Sequence, residues 1–390
     1  DRGEGVPFVI AGGGVANNPE PLAEYIDLFD IGEGEEVLHE LLDVFKEWKR
    51  KKLPRRDFLK MAAKLPGIYV PAFYREEYND DGTLKALVPV EPEAPPVITK
   101  RVVASFDKAY FPDKLVVPYG NVVHDRIMIE VMRGCSHGCR FCQAGFIYRP
   151  VRERSVDTVV ELAEKLVKST GYEEISLLSL STCDYSHLEE LTDRLLNAFE
   201  KQHVSLSLPS SRVDAFTLGL MERKSGLTFA PEAGTQRMRD IINKGVTEED
   251  LLRSARLAFE GGWSTIKLYF MLGLPYETDE DILGIARLAE KVLQLYYSVH
   301  QGKKCRRPEI TVSTSTFVPK PFTPFQWCGQ DTIEEIKRKQ ELLKRSLDRR
   351  IRFSWHTPET SVLEGALSRG DRRIGKVLYR VWKDGSTFDA

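Results

Sequence analysis

Arg133-Gly134-Cys135-Ser136-His137-Gly138-Cys139-Arg140-Phe141-Cys142 sets three cysteines in C-x3-C-x2-C spacing, directly after an apolar run, Ile127 to Met132, that reads as a strand. Thiolates this close can converge on one soft-metal centre. An iron–sulfur cube has four irons, so three cysteines leave one iron open to chelate the amino and carboxylate groups of a small molecule. Gly134 and Gly138 let the loop fold tightly around such a cluster. The competing assignment is a structural zinc site made from Cys135, His137, Cys139 and Cys142. Zinc frameworks more often pair two C-x2–4-C elements, and this chain has no second pair. Cys183, Cys305 and Cys328 are scattered and read as ordinary buried or half-buried thiols. Six cysteines in 390 residues are too few for a disulfide scaffold and imply a reducing, cytoplasmic setting.

Downstream of this loop, strands alternate with amphipathic helices. Val156 to Lys168 carries Val159, Val160, Ala163, Leu166 and Val167 on one stripe and is closed by Gly171. Further strands are expected at Ile175 to Leu180, Val204 to Leu208, Leu227 to Ala230, Thr265 to Met271 and Ile310 to Phe317, with helices starting near Ser186, Asp214, Gln236, Thr278 and Thr332. Six such units predict an α/β fold, a partial (β/α)6 barrel of TIM type. The cysteine loop then lies at the C-terminal face of the strands, where such folds build their active sites.

The flanks divide differently. Val6 to Ala11, a helical stretch from Pro19 to Leu28, a run through Ile31 and a helix from Glu35 to Lys49 read as a fragment of a Rossmann-like α/β domain over residues 1–50, its upstream part missing. Residues 51–124 are Pro-rich and read as linker and irregular cover, with strands at Ile68 to Phe73 and Leu84 to Val90. The barrel is expected over 125–330. Residues 331–390 are expected as a short α-rich extension, whose last forty residues hold a strand and two basic helices.

Hydrophobic content of 42%, charged content of 29% and a net charge of −2 describe a globular chain that is not a globally basic nucleic-acid binder. No apolar run approaches the roughly 20 residues of a membrane helix, so no membrane partner is expected. The local basic run Lys49 to Lys52 with Arg55 and Arg56 reads as a solvated helix end, with RNA contact as the minority alternative.

The cysteine motif, with Phe141 just before its last Cys, resembles the signature of the radical S-adenosylmethionine (SAM) superfamily. Phe229-Ala230-Pro231-Glu232-Ala233-Gly234-Thr235, Gly273-Leu274-Pro275-Tyr276-Glu277-Thr278-Asp279 and Phe317 to Trp327 are similar to that family's fourth-, fifth- and sixth-strand motifs. The resemblance implies a [4Fe–4S] cluster on Cys135, Cys139 and Cys142, SAM as ligand, and an electron donor such as flavodoxin or ferredoxin. It also implies SAM contacts. Ser181, Thr182 and Asp184 stand where many members carry Gly-Gly-Glu for the methionyl amino group, a departure from the pattern. Ser207, Ser210 and Arg212 close the third strand. Glu232 would bind the ribose hydroxyls or the amino group, with an ion pair to Lys267 or Arg237 as its bland alternative. Gly273, Leu274 and Pro275 would shape the adenine pocket. Gly12-Gly13-Gly14, Asn18 to Pro21 and Asp30 to Glu36 resemble the end of the cobalamin-binding domain of one radical SAM subfamily, which implies cobalamin in the full-length protein.

The implied activity is reductive cleavage of SAM that starts radical chemistry on an unidentified substrate. Cobalamin-dependent methylation, rearrangement and RNA modification stay open as outcomes. Methylthiotransfer is disfavoured, because no second cysteine set is present. An iron–sulfur electron carrier and a zinc-stabilised RNA-binding module are the rival readings.

Overall fold

The computed structural model describes residues 3–120, 122, 124–207, 227–302 and 306–387. Ser210, Arg212, Cys305 and the helix expected near Asp214 lie outside them. Two compact units emerge, one formed by Asp1–Tyr110 with Ala366–Ala390, the other by Phe111–Gly365.

In the first unit, β1 (Ile10–Ala11) pairs in parallel with β2 (Leu28–Asp30), and β2 pairs antiparallel with β3 (Ile68–Tyr69). Helices α1 (Gly34–Lys51) and α2 (Arg55–Ala62) supply Val37, Leu41, Phe58 and Ala62 to a core that also holds Leu28, Phe29, Ile68 and Phe73. A hairpin of β4 (Tyr74–Tyr78) and β5 (Leu84–Pro89) follows. Residues 51–110, expected as linker and cover, therefore share a core with residues 1–50. Leu28 is fully buried, because β3 and α2 fold back over the face that a two-strand fragment would have left open. The helix expected from Pro19 shrinks to one 3-10 turn, Glu20–Leu22; Pro21 inside it has no N–H to carry a helical ladder onward.

The second unit opens on β6 (Ile127–Glu130), β7 (Met132–Arg133), a short α3 (Ala144–Ile147) and β8 (Arg152–Glu153). Then α4 (Val156–Thr170) runs from a Ser155 N-cap, whose hydroxyl accepts from Thr158 N, to Gly171 in the left-handed region at φ 73°. It is followed by β9 (Glu174–Leu178), α5 (Leu188–Phe199), β10 (Ser205–Ser207), β11 (Leu227–Glu232), α6 (Gln236–Ile241), α7 (Glu248–Glu260), β12 (Thr265–Leu272), α8 (Asp279–Val299), β13 (Glu309–Thr316), α9 (Ile333–Ser346) and β14 (Arg352–Trp355). α10 (Pro358–Arg369) carries the chain back to the first unit, where it ends in α11 (Arg373–Lys383).

The large strands pair in parallel and in sequence order, β6-β9-β10 in one sheet and β11-β12-β13-β14 in another. This is an α/β fold with the strand order of a partial β/α barrel, and no closed barrel forms among the described residues. β14, expected in an appended extension, instead extends the second sheet through Thr311↔Arg352 to Thr314↔Trp355. Its alternation of apolar and polar residues is too short to reveal that partner. One strand face buries Ile266, Leu268, Ile310 and Val312 under α7 and α8, and the other sheet buries Ile127, Ile129, Ile175 and Leu177 under α4 and α5.

Candidate functional site

The cysteine loop leaves the end of β7 through Gly134, whose φ is +90° and whose missing Cβ would stand 2.9 Å from the carbonyl oxygens of Tyr148 and Pro150. Only glycine fits that path without displacing backbone. Cys135, Cys139 and Cys142 are free thiols of intermediate exposure, and Cys142 N donates to Cys139 O at 3.1 Å.

Six contacts fix this loop to segments distant in sequence. His137 Nε2 and Asp184 Oδ2, which lies in the turn after β9, are 2.5 Å apart. Arg140 N donates to Ile242 O at 2.9 Å, its guanidinium donates to Ile241 O, and Asn243 Nδ2 donates to Gly138 O at 2.9 Å, all in the turn after α6. Gln143 Nε2 reaches Pro321 O at 3.2 Å, and Phe325 N donates to Arg140 O at 3.3 Å, both beyond β13. Phe141 packs beside a small apolar cluster of Ala233, Met238, Ile242, Leu274, Phe317 and Phe325. Segments 47 to 185 residues away in sequence therefore meet around one loop, as parallel strands with their C-termini on one side require.

The candidate SAM residues take different surroundings. Ser181 is 2% exposed, and its Oγ is buried without a hydrogen-bond partner. Thr182 is turned inward, with its hydroxyl donating to Leu177 O at 3.3 Å, so it serves the turn. Asp184 is held by His137. Ser207 ends β10, half-buried and in register with Ser176. Glu232 ends β11 at a left-handed φ of 67° and pairs with Lys244 Nζ at 3.3 Å. The ion pair to Lys267 or Arg237, given above as the alternative to ligand binding, does not form. Arg237 instead meets Asp281, while Lys267 lies further back along β12. Burial pushes the Glu232 carboxyl above the usual carboxylate range, and Lys244 offsets part of that.

Gly273, at φ +81°, starts a turn with Leu274 and Pro275 that is held from behind. Gly273 N donates to Glu277 Oε2 at 2.8 Å, and Lys339 on α9 bridges Glu277 at 3.0 Å and Asp331 at 2.7 Å. Burial drives the Glu277 carboxyl up, opposed by Lys339 and the Gly273 N–H. Asn243, Lys244, Lys339 and Asp331 are parts of the site that sequence reasoning missed. Asn243-Lys244-Gly245 carries a helix-ending signal in its Asn and Gly, but nothing local says what such a turn will touch.

Residues 129–289 match the radical SAM superfamily model, and residues 1–71 match the model described as radical SAM proteins, N-terminal. The chain belongs to the radical SAM superfamily, whose members are enzymes that use a [4Fe–4S] cluster and SAM. It is 30% identical over 380 residues to an uncharacterized protein of Methanocaldococcus jannaschii, covering 95% of this chain and 72% of that protein. It is also 30% identical over 193 residues to tRNA-2-methylthio-N(6)-dimethylallyladenosine synthase of Chlorobium phaeobacteroides, covering 45% of this chain and 42% of that enzyme. Among solved structures it is similar to the radical SAM methyltransferase TsrM from Kitasatospora setae, with TM-score 0.52 and 18% identity over 85% of this chain and 60% of that one. No helix of the described residues is long and apolar enough to cross a membrane.

Proposed function

We propose that Cys135, Cys139 and Cys142 hold the cluster, and that SAM lies across the ends of β9, β11 and β12 to start radical chemistry on a substrate inside the strand layer. The observation that supports this reading is the loop's attachment to the turn after β9, the turn after α6 and the segment beyond β13, which sets it beside Asp184, Asn243 and the Leu274 cluster. The donor set fits a cluster better than one zinc ion. Three closely spaced thiolates leave one iron of a cube open, and the sequence offers no second C-x2–4-C pair to complete a zinc framework. The orphaned Ser181 hydroxyl fits a polar ligand atom that would satisfy it.

When bound and reduced, the cluster supplies the electron that cleaves the carbon–sulfur bond of SAM. The chain's own residues bind and orient. Glu232, kept in a left-handed turn and tethered by Lys244, presents its carboxylate to ligand hydroxyl or ammonium donors. The Gly273 turn presents backbone at a fixed position because Glu277 and Lys339 hold it. Phe141, Phe317 and Phe325 keep water from the region beneath the loop. Anaerobic incubation of reconstituted protein with SAM and dithionite tests the reading: 5′-deoxyadenosine is expected from the native chain and none from Cys139→Ala. Its absence from native protein with full iron would overturn the assignment.

Cobalamin-dependent methyl transfer is the second reading. It is favoured by the fold likeness to TsrM, a methyltransferase solved with cobalamin bound. In that reading Gly12 to Gly14, which follow β1 directly, would let backbone approach the corrinoid. Corrinoid retained after desalting of the full-length protein supports it, and none retained at full iron removes it. RNA as substrate has the resemblance to the Chlorobium tRNA-modifying enzyme behind it.

A further inference from the structure

A filled β/α barrel packs bulky branched residues inward in layers. This second unit does not. Ile266, Leu268 and Phe270 on β12, and Ile310 and Val312 on β13, lie in the helix-side core, so alternation turns Lys267, Tyr269 and Met271, and Thr311, Ser313 and Ser315, to the opposite face. By the same parity β11 presents Thr228 and Ala230 there. Most of these side chains are small, and Tyr269 stays 37% exposed although its strand is paired on both sides. The inner face is therefore lined largely by hydroxyls and is open around Tyr269, while Met271 and Ser313 nearer the strand ends are buried.

Among the described residues two cations stand on the β11–β14 part of it: Arg352, in register with Thr311 and 4.0 Å from Glu309 of the same face, and Lys267. Lys267 is in register with Thr228 and Thr311, is half-buried, and has its Nζ 4.6 Å from the centroid of the Tyr269 ring. Among the described residues no carboxylate pairs with it. Among the described residues, three cations nearer the strand ends are committed, Lys244 to Glu232, Lys339 to Glu277 and Asp331, and Arg237 to Asp281. The in-register neighbours of Lys267, Thr228 and Thr311, are neutral, and the nearest carboxylate of the face, Glu309, lies beside Arg352; a half-buried ammonium so placed gains most from an anion that a ligand brings.

We propose that Lys267 receives an anionic group of the substrate, a carboxylate or a phosphate, with Tyr269 holding the ammonium in place. This rests on the radical SAM reading above, in which the carboxylate of SAM is already used at the open iron. Lys267 lies five residues before Leu272, which at about 3.3 Å per residue puts it roughly 16 Å below the strand ends. The substrate class is then an elongated anion, its reacting carbon near the cysteine loop and its charge toward the other end of the strands.

The test is differential acetylation of the reconstituted protein with acetic anhydride, read by peptide mass spectrometry. Inorganic phosphate and succinate are added in turn against chloride at matched ionic strength. Protection of Lys267 by either anion is expected, with Lys165, an exposed lysine paired to Glu161, unaffected. Lys267→Met should keep native SAM affinity and its native melting temperature, and Lys267→Arg should restore anion binding as protection of neighbouring Tyr269 from iodination. Failure of both anions to protect Lys267 would overturn the proposal. So would protection by SAM alone, or a severalfold loss of SAM affinity in Lys267→Met, because the anion would then belong to SAM. The labelling needs no turnover, so its outcome is separate from whether 5′-deoxyadenosine forms.

Discussion

Replacing Lys339 by Met removes the cation behind the Gly273 turn. The side chain is 7% exposed and sits 3.0 Å from Glu277 and 2.7 Å from Asp331. Asp331, at 27%, can turn to water, whereas Glu277, at 3%, cannot. Breaking a buried pair by deleting one partner costs about 3–5 kcal/mol. Glu277 can limit the loss by taking up a proton, which at pH 7 costs about 3.7 kcal/mol, at about 1.4 kcal/mol for each pH unit above a free pKa of about 4.3. The loss expected is thus about 3–4 kcal/mol, and at roughly 2–4 °C per kcal/mol for a unit of this size the melting temperature falls by roughly 6–15 °C. The pH dependence has a definite sign. Burial already raises the Glu277 carboxyl, and losing Lys339 raises it further. A raised carboxyl contributes its stability fully below its unfolded pKa and loses it as pH rises through the folded one. The deficit against the native chain should therefore be smallest near about pH 5 and largest near about pH 8. Scanning calorimetry across that range measures it, and the double replacement of Glu277 by Gln with Lys339 by Met should recover most of the loss. A shift under about 2 °C throughout, or a deficit that grows on acidification, refutes the reasoning.

Two further outcomes are expected. Gly134→Ala must adopt φ +90° and push its Cβ to 2.9 Å from two carbonyl oxygens, so about 1–3 kcal/mol of strain should displace the cysteine loop. Iron per chain after reconstitution and desalting should fall by more than half, and full retention would contradict the loop geometry. Asn243→Ala loses the bond to Gly138 O and keeps a left-handed φ of 52° that alanine resists, whereas Asn243→Gly loses the bond alone. Iron retention and SAM affinity should both drop more for Ala than for Gly, by equilibrium dialysis, and equal native behaviour in both would remove Asn243 from the site.

What could be read in advance was local. The stripe of α4 and the glycine that ends it, the spacing of the three thiols and the β-type runs from Glu174 to Thr316 each announce themselves within a few residues, because periodicity and capping are short-range. The six expected runs at 127–317 fall on observed strands, with ends shifted by a few residues. The contacts that turn those pieces into a site are long-range. Asn243 meets Gly138 across 105 residues, and Lys339 meets Glu277 across a helix and a strand, and neither pairing leaves a local mark. Lys267 and Arg237 were equally plausible partners for Glu232 on charge alone. Lys244 wins because the turn after α6 doubles back, its own N–H bonded to Arg239 O at 2.9 Å. At the N-terminus the parallel pair was legible, but β3, forty residues on, supplies the antiparallel neighbour that buries Leu28.

The first unit is sewn from both ends of the chain. Arg372 reaches the buried Glu20 at 3.2 Å and Tyr69 OH at 3.3 Å, and Asn18 Nδ2 donates to Ser368 O at 2.8 Å. During synthesis this imposes a waiting time. After residue 110 the ribosome must add the whole of Phe111–Gly365 before the closing helix exists, which at about 5–20 residues per second takes roughly 13–50 s. Through that interval Glu20 lacks the Arg372 guanidinium that it meets in the finished fold. The second unit, continuous over Phe111–Gly365, needs no later segment to close it and can fold before the closing helix arrives.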